Sequence, residues 1–197
     1  MQGNVCRQCT DDFYKRSAEN METKGLILVH TGDGKGKTTA GLGLALRAWG
    51  SGLRVLILQF IKGGWKYGEL EAIERLGQLD GRIEIRPLGL GLMRSDEDRE
   101  KHIRAAAKAL QESERMMVSG QYDLIIFDEI NYAVKFGLIS LDDVLALLDK
   151  KPEKLHVLLT GRDARPELIE RADLVTEMKL VKHPYQQGIK AQQGIEF

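Results

Sequence analysis

Short apolar runs alternate along this chain with stretches of helical period. Gly25 to His30 is a compact run rich in β-branched residues, Leu53 to Phe60 is almost continuously apolar, and Arg82 to Leu88 alternates. Tyr122 to Glu129, Leu155 to Thr160 and Leu174 to Met178 are again short and apolar. Runs of this length read as strands, and those without alternation read as strands buried on both faces. Between them, Leu42, Ala45, Leu46 and Trp49 recur at helical spacing within Ala40 to Trp49, and a second helix is predicted from about Glu69 to Leu76. A long third helix opens with Ser95, Asp96, Glu97 and Asp98 as cap and acidic first turn, with Ile103, Ala106, Ala107, Leu110 and Met117 as its apolar stripe. Leu141 to Leu148 and Pro166 to Ala172 complete the helices. Such alternation predicts an α/β protein with right-handed crossovers, a mostly parallel sheet covered by helices, and ligands at the carboxyl ends of the strands.

Composition narrows this picture without redirecting it. The 197 residues suit one domain, and 43% hydrophobic residues suffice for its core. Residues 1–22 are polar and weakly periodic and read as an N-terminal extension, leaving 23–197 as the folded domain. The 29 basic residues balance 29 acidic ones, so no global field attracts nucleic acid. No apolar run is long enough to cross a membrane and no secretory leader is recognisable, so the expected location is cytoplasmic. Cys6 and Cys9 form a lone Cys-x-x-Cys with no second pair, and no role is assigned to them.

The most informative segment lies between the first strand and the first helix. Thr31-Gly32-Asp33-Gly34-Lys35-Gly36-Lys37-Thr38-Thr39 reads as a phosphate-binding loop. Its glycines let the backbone curl with N–H groups turned inward, and the helix that follows adds the positive end of its dipole. Lys37 is placed to meet phosphate and the Thr38 hydroxyl to meet Mg²⁺. One feature is atypical: the usual first glycine falls where Thr31 stands, and Gly32 comes one position late. A dinucleotide fingerprint fits worse, because Thr39 occupies the place of its third glycine.

Asp128 and Glu129 end a buried strand and suit the metal side of a nucleotide triphosphate site. Alternation sends neighbouring side chains to opposite faces, so one direct and one water-mediated contact to Mg²⁺ is expected, with either acid a candidate for the direct one. Arg162, after the next strand, is placed to meet phosphate, base or another loop. Lys62 and Trp65, after the second strand, are a cation and an aromatic that can face a large ligand or serve the loop itself. His183, beside Pro184, has no context for a catalytic role.

Taken together, Gly32-Asp33-Gly34-Lys35-Gly36-Lys37-Thr38-Thr39, Gln59-Phe60-Ile61-Lys62-Gly63 and Asp128-Glu129-Ile130-Asn131-Tyr132 resemble the cob(I)alamin (corrinoid) adenosyltransferases of the phosphate-loop class. Leu159-Thr160-Gly161-Arg162, Ala172 to Met178, Val181-Lys182-His183-Pro184 and Gly188 to Glu196 are similar to that family's closing segment. The resemblance spans about residue 25 to the end and implies a single three-layer P-loop NTPase-like domain. It also implies transfer of the 5′-deoxyadenosyl group of ATP to Co(I) of a reduced corrinoid, with triphosphate leaving. Cobalt is then the nucleophile, and the chain needs no Ser, Cys or His for that task. ATP, Mg²⁺ and a reduced corrinoid follow as ligands, with a homodimer and an electron-donating reductase as partners.

By the same resemblance, Gly32, Asp33, Gly34, Lys35, Gly36, Lys37, Thr38 and Thr39 bind ATP with Arg162, in an orientation reversed relative to ordinary triphosphatases. Lys37 neutralises the leaving group, and Thr38 with Glu129 and Asp128 holds Mg²⁺. One departure stands out. Where family members often carry aromatic residues against the corrinoid, this chain has Gly89-Leu90-Gly91-Leu92, which places Leu90 and Leu92 on the corrinoid side without flat rings. The rival readings of the same loop and acids are a P-loop ATPase or small-molecule kinase releasing ADP, and a nucleotide-gated binding protein without catalysis.

Overall fold

The computed structural model describes residues 24–64, 67–91, 93 and 96–196. Its six strands are β1 (Ile27–Thr31), β2 (Val55–Gln59), β3 (Ile83–Pro87), β4 (Leu124–Asp128), β5 (His156–Thr160) and β6 (Leu174–Glu177). They form one sheet in the order β3-β2-β4-β5-β1-β6, with every neighbouring pair parallel. The connecting helices are α1 (Lys37–Gly50), α2 (Gly68–Asp80), α3 (Asp96–Val118), α4 (Ile130–Lys135), α5 (Leu141–Asp149) and α6 (Pro166–Arg171), and a 3₁₀ turn spans Pro184–Gln187.

Strand alternation divides the core into two layers of contact. Ile57, Ile126 and Leu158 face Ala45 and Ala48 of α1 and Ile73 of α2. Leu58, Phe127 and Leu159 point the other way, into Ala106, Met117, Ile130, Val144 and Leu168 of α3, α4, α5 and α6. This three-layer arrangement is why β2 and β4, buried at every position, carry uninterrupted apolar runs.

Three expectations needed correction. The stripe of α3 is rotated: Ile103 and Ala107 are exposed, whereas His102, Ala106, Ala109, Ser113, Met116 and Met117 are buried. Ser113 is tolerated there because its hydroxyl donates to the Ala109 carbonyl at 2.7 Å. The first helix begins at Lys37 rather than Ala40, since Gly36 (φ 107°) supplies the left-handed turn into it. Helix α4 was not predicted at all, because six residues are too few for a period to show. The proposed cap Ser95, and likewise Cys6, Cys9, Trp65 and Leu92, lie outside the described residues.

All strands run the same way, so the loops after β1, β2, β3, β4 and β5 open on one edge of the sheet. Strands β1 and β4 are separated by β5, which leaves a crevice between their outgoing connections. Among the described residues no helix is long and apolar enough to cross a membrane.

Candidate functional site

The loop after β1 is shaped from outside as well as by its own glycines. The Met178 amide donates to the Thr31 carbonyl at 2.8 Å, and the Gly34 amide donates to the Met178 carbonyl at 2.6 Å. A Cβ on Gly32 (φ 93°) would stand 2.5 Å from that carbonyl oxygen, and one on Gly34 would stand 2.6 Å from it. Side chains are therefore excluded at both positions by backbone contact. The late first glycine has its reason here. Thr31 still belongs to β1, paired with Glu177, and its hydroxyl accepts from the Ala164 amide at 3.0 Å, so the loop starts one residue later.

Lys37 opens α1 with its side chain folded back over this loop. Its Nζ donates to the carbonyls of Gly32 at 2.7 Å and Gly34 at 2.6 Å, and only 6% of the residue is exposed. Burial holds its ammonium below the ordinary lysine range, the nearby Arg162 pushes the same way, and Glu129 opposes both. Asp33, Lys35 and Thr39 are exposed on the outer side of the loop, with Lys35 ion-paired to Glu196. Arg162 is exposed at the start of the β5–α6 connection.

Across the crevice, Asp128 is the centre of a closed hydrogen-bond set. Its Oδ1 accepts from the hydroxyls of Thr38 and Thr160, both at 2.8 Å, and its Oδ2 accepts from Gln59 Nε2 at 3.1 Å. All three donors come from different elements: α1, β5 and β2. The link from Thr38 joins the phosphate loop to the acid pair directly.

Glu129 contrasts with its neighbour. It adopts φ 61° and ψ 22°, a left-handed conformation costing a residue with a side chain on the order of 1 kcal/mol. Its backbone amide donates to Thr160 Oγ1 at 2.9 Å. Its half-buried carboxylate has no hydrogen-bond partner among the described residues. Burial and the charge of Asp128 raise its pKa, against the opposing pull of Lys37, Lys62 and Arg162. A carboxylate left free of donors beside three cations and a threonine hydroxyl is an all-oxygen setting suited to a hard divalent cation bound together with phosphate. No three His, Cys, Asp or Glu side chains gather into a metal cluster among the described residues.

Sequence reasoning missed Gln59 and Thr160. Both are 0% exposed polar residues that end otherwise apolar strands at the same edge as Asp128, and that shared position was the available signal. Among the described residues, Asn131, also buried, has no partner for either amide atom, and Gln59 Oε1 and His30 Nδ1 are likewise unpaired. His183 accepts from the Tyr185 amide at 3.1 Å and caps the 3₁₀ turn.

The far end of the crevice is built differently. After β2 and β3 the chain forms two loops laced by backbone: the Gly89 amide donates to Gln59 O at 3.1 Å and to Lys62 O at 3.2 Å, and the Gly91 amide donates to Ile61 O at 2.8 Å. A Cβ on Gly63 would lie 1.9 Å from Gly89 O. Leu90 projects from this pair of loops at 53% exposure. Lys62 turns to Glu69 at 2.6 Å and stands 4.7 Å over the Tyr67 ring. Four strand spacings of about 4.8 Å separate β3 from β1, so the leucine loop and the phosphate loop lie roughly 19 Å apart along the edge.

Residues 23–197 match the family model described as ATP:corrinoid adenosyltransferase BtuR/CobO/CobP. The chain is 42% identical over 184 residues to a corrinoid adenosyltransferase of Sinorhizobium sp, covering 93% of this chain and 85% of that one. It is 39% identical to one from Pseudomonas aeruginosa, covering 93% and 89% of the two chains. For one from Escherichia coli K12 the identity is 36%, with 92% and 90% covered. Among solved structures, the flagellar accessory protein FlaH of Methanocaldococcus jannaschii superposes with a TM-score of 0.51 at 17% identity over 85% of this chain and 76% of that one, a likeness of fold alone. The family model takes in everything from the first strand to the last turn, and the relatives match along most of their own length, so the chain belongs to the ATP:corrinoid adenosyltransferase family.

Proposed function

We propose that this protein transfers the 5′-deoxyadenosyl group of ATP to Co(I) of a reduced corrinoid. In that reaction the cobalt electron pair forms a bond to C5′, the C5′–O bond breaks, and triphosphate leaves with the electrons of that bond. No proton needs to move, which suits a crevice whose polar side chains are committed to holding charge rather than to acid–base exchange.

Each group then has a task. The amides of Gly32 to Thr39 cradle the triphosphate, and Lys37, held at the mouth by its two carbonyl contacts, moves onto the phosphate oxygens as they arrive. Asp33, Lys35 and Arg162 flank the chain of phosphates. Thr38 and Glu129 would hold Mg²⁺ directly, with Asp128 behind them, because both Asp128 oxygens already accept donors whereas the Glu129 carboxylate has none among the described residues. The ion would supply charge neutralisation for the leaving triphosphate. Leu90 and Leu92 would border the corrinoid and keep water from it.

The observation that carries this reading is the 2.8 Å bond from Thr38 to Asp128, which fuses phosphate loop and acid pair into one site inside the family match. We further infer a cytoplasmic homodimer supplied with electrons by a reductase, with residues 1–22 as an N-terminal extension and 23–197 as the transferase domain. Anaerobic incubation with ATP, Mg²⁺ and Co(I) corrinoid tests the activity: triphosphate and a light-sensitive organocobalt product are expected. ADP and phosphate would instead identify an ATPase or kinase, and neither product a binding protein.

A further inference from the structure

Thr160 has one hydroxyl proton and gives it to Asp128 Oδ1 at 2.8 Å, while Thr160 Oγ1 itself accepts from the Glu129 amide at 2.9 Å. The residue is 0% exposed, so water does not compete for either bond. Its direction is fixed: Asp128 must be the acceptor, and the lone pair of the hydroxyl must face Glu129.

That second bond falls where the backbone turns out of the strand. Residues 128 and 129 are the last of β4 and the N-cap of α4, and the cap has no side-chain hydrogen bond of its own. Glu129 enters its left-handed conformation with its amide no longer in the sheet ladder, and Thr160 is the group that accepts it. The conformation decides where the free carboxylate points. On the other side, Gly161 (φ 129°) sits so close to α4 that a Cβ there would meet the Tyr132 amide at 2.8 Å, and Arg162 follows immediately. Thr160 thus stands between the two carboxylates and the loop bearing Arg162.

We propose that Thr160 is a positioning residue that sets the aim of Glu129 at the divalent cation bound with ATP, and that it does so by holding the Glu129 amide and the Asp128 carboxylate with one hydroxyl. This rests on the reading of Glu129 as the direct ligand. Thr160→Val removes both bonds at nearly constant volume, and Thr160→Ser keeps them.

The decisive measurement is ATP binding by titration calorimetry without corrinoid, in Mg²⁺ and in EDTA, together with the Mg²⁺ concentration giving half-maximal adenosyl transfer. Thr160→Val should raise that concentration about 10- to 100-fold and lose most of the Mg²⁺-dependent gain in ATP affinity, with affinity in EDTA unchanged within about twofold. Thr160→Ser should restore both. In a Glu129→Gln background, Thr160→Val should have no further effect on Mg²⁺ dependence. Equal weakening in Mg²⁺ and EDTA, or an undiminished Mg²⁺ gain, would overturn the proposal. Should the valine variant not fold, Thr160→Ala is read by the same criteria. Wild-type protein that binds Mg²⁺–ATP yet transfers no adenosyl group would sink the proposed reaction while leaving the calorimetric comparison intact.

Discussion

The two ends of the crevice are fixed by different means. At the phosphate end the loop is braced by backbone, and its polar side chains are tied down as well: Lys37 by two backbone carbonyls, Asp128 by three side-chain donors from three elements, Thr38 by Asp128. At the other end the backbone does the holding, with Gly63 and Gly89 so close that neither admits a side chain, and Leu90 is merely displayed. Charge stabilisation depends on position to a fraction of an ångström, and hydrogen bonds supply that definition. An apolar wall needs only a stable platform. Substitutions at the two ends should therefore separate: ionic ones should alter ATP and Mg²⁺ handling, and leucine ones the acceptor.

The harshest challenge to this division is Lys37→Ala. It should lower adenosyl transfer roughly 100- to 1,000-fold at saturating ATP, with corrinoid KM nearly unchanged. Near-normal transfer would remove the lysine from the leaving-group role.

Glu129→Gln should cost about 10- to 100-fold in activity and raise the Mg²⁺ requirement. The same change should stabilise the ligand-free protein at neutral pH. Because burial raises the Glu129 pKa above its ordinary 4.5, the folded protein retains the proton longer than the unfolded chain. That contribution to stability is complete below pH 4.5 and is lost as pH rises through the folded value. Melting curves across pH should show the glutamine variant gaining over wild type above this window and matching it below. Equal melting temperatures at neutral pH would mean that the surrounding cations already cancel the cost of burial.

Gly89→Ala strikes the platform instead. Its new Cβ would lie 2.3 Å from the Ile61 carbonyl group, so a loss of about 1–3 kcal/mol in unfolding free energy is expected. Denaturant titration would detect it, and an unaltered midpoint would show the two loops free to part. The gentlest intervention, Leu90→Ala with Leu92→Ala, should change corrinoid KM by only about 5- to 10-fold and leave ATP KM alone, on the scale of a few buried methylenes. Unchanged corrinoid kinetics would take these leucines off the acceptor side.

Much of this was legible in the chain itself. The apolar runs of β2 and β4, the glycine loop with Lys37 and Thr38, and the acids at the end of β4 are local signals. What escaped depends on residues far apart. Gln59 and Thr160 matter because β2, β4 and β5 are neighbours, which no window of sequence displays. The late glycine of the phosphate loop made sense only once Met178 was found against it, 146 positions beyond Gly32. The α3 stripe was misjudged because Ala107 and Ile103 are apolar yet face outward, while Ser113 is polar and satisfies itself internally.

The placement of β1 has a consequence for biosynthesis. Its two sheet neighbours are β5 and β6, residues 156–160 and 174–177, although β1 itself is made first. A growing chain can pair β2 with β3 and then with β4 while Ile27 to Thr31 has no strand to join. At roughly 5–20 residues per second, the loop after β1 waits on the order of ten seconds for Met178 to be added before its outer wall exists. The loop from Gly32 to Lys37 is thus translated long before the residue that braces it, so nascent chains stalled before β6 lack its outer wall.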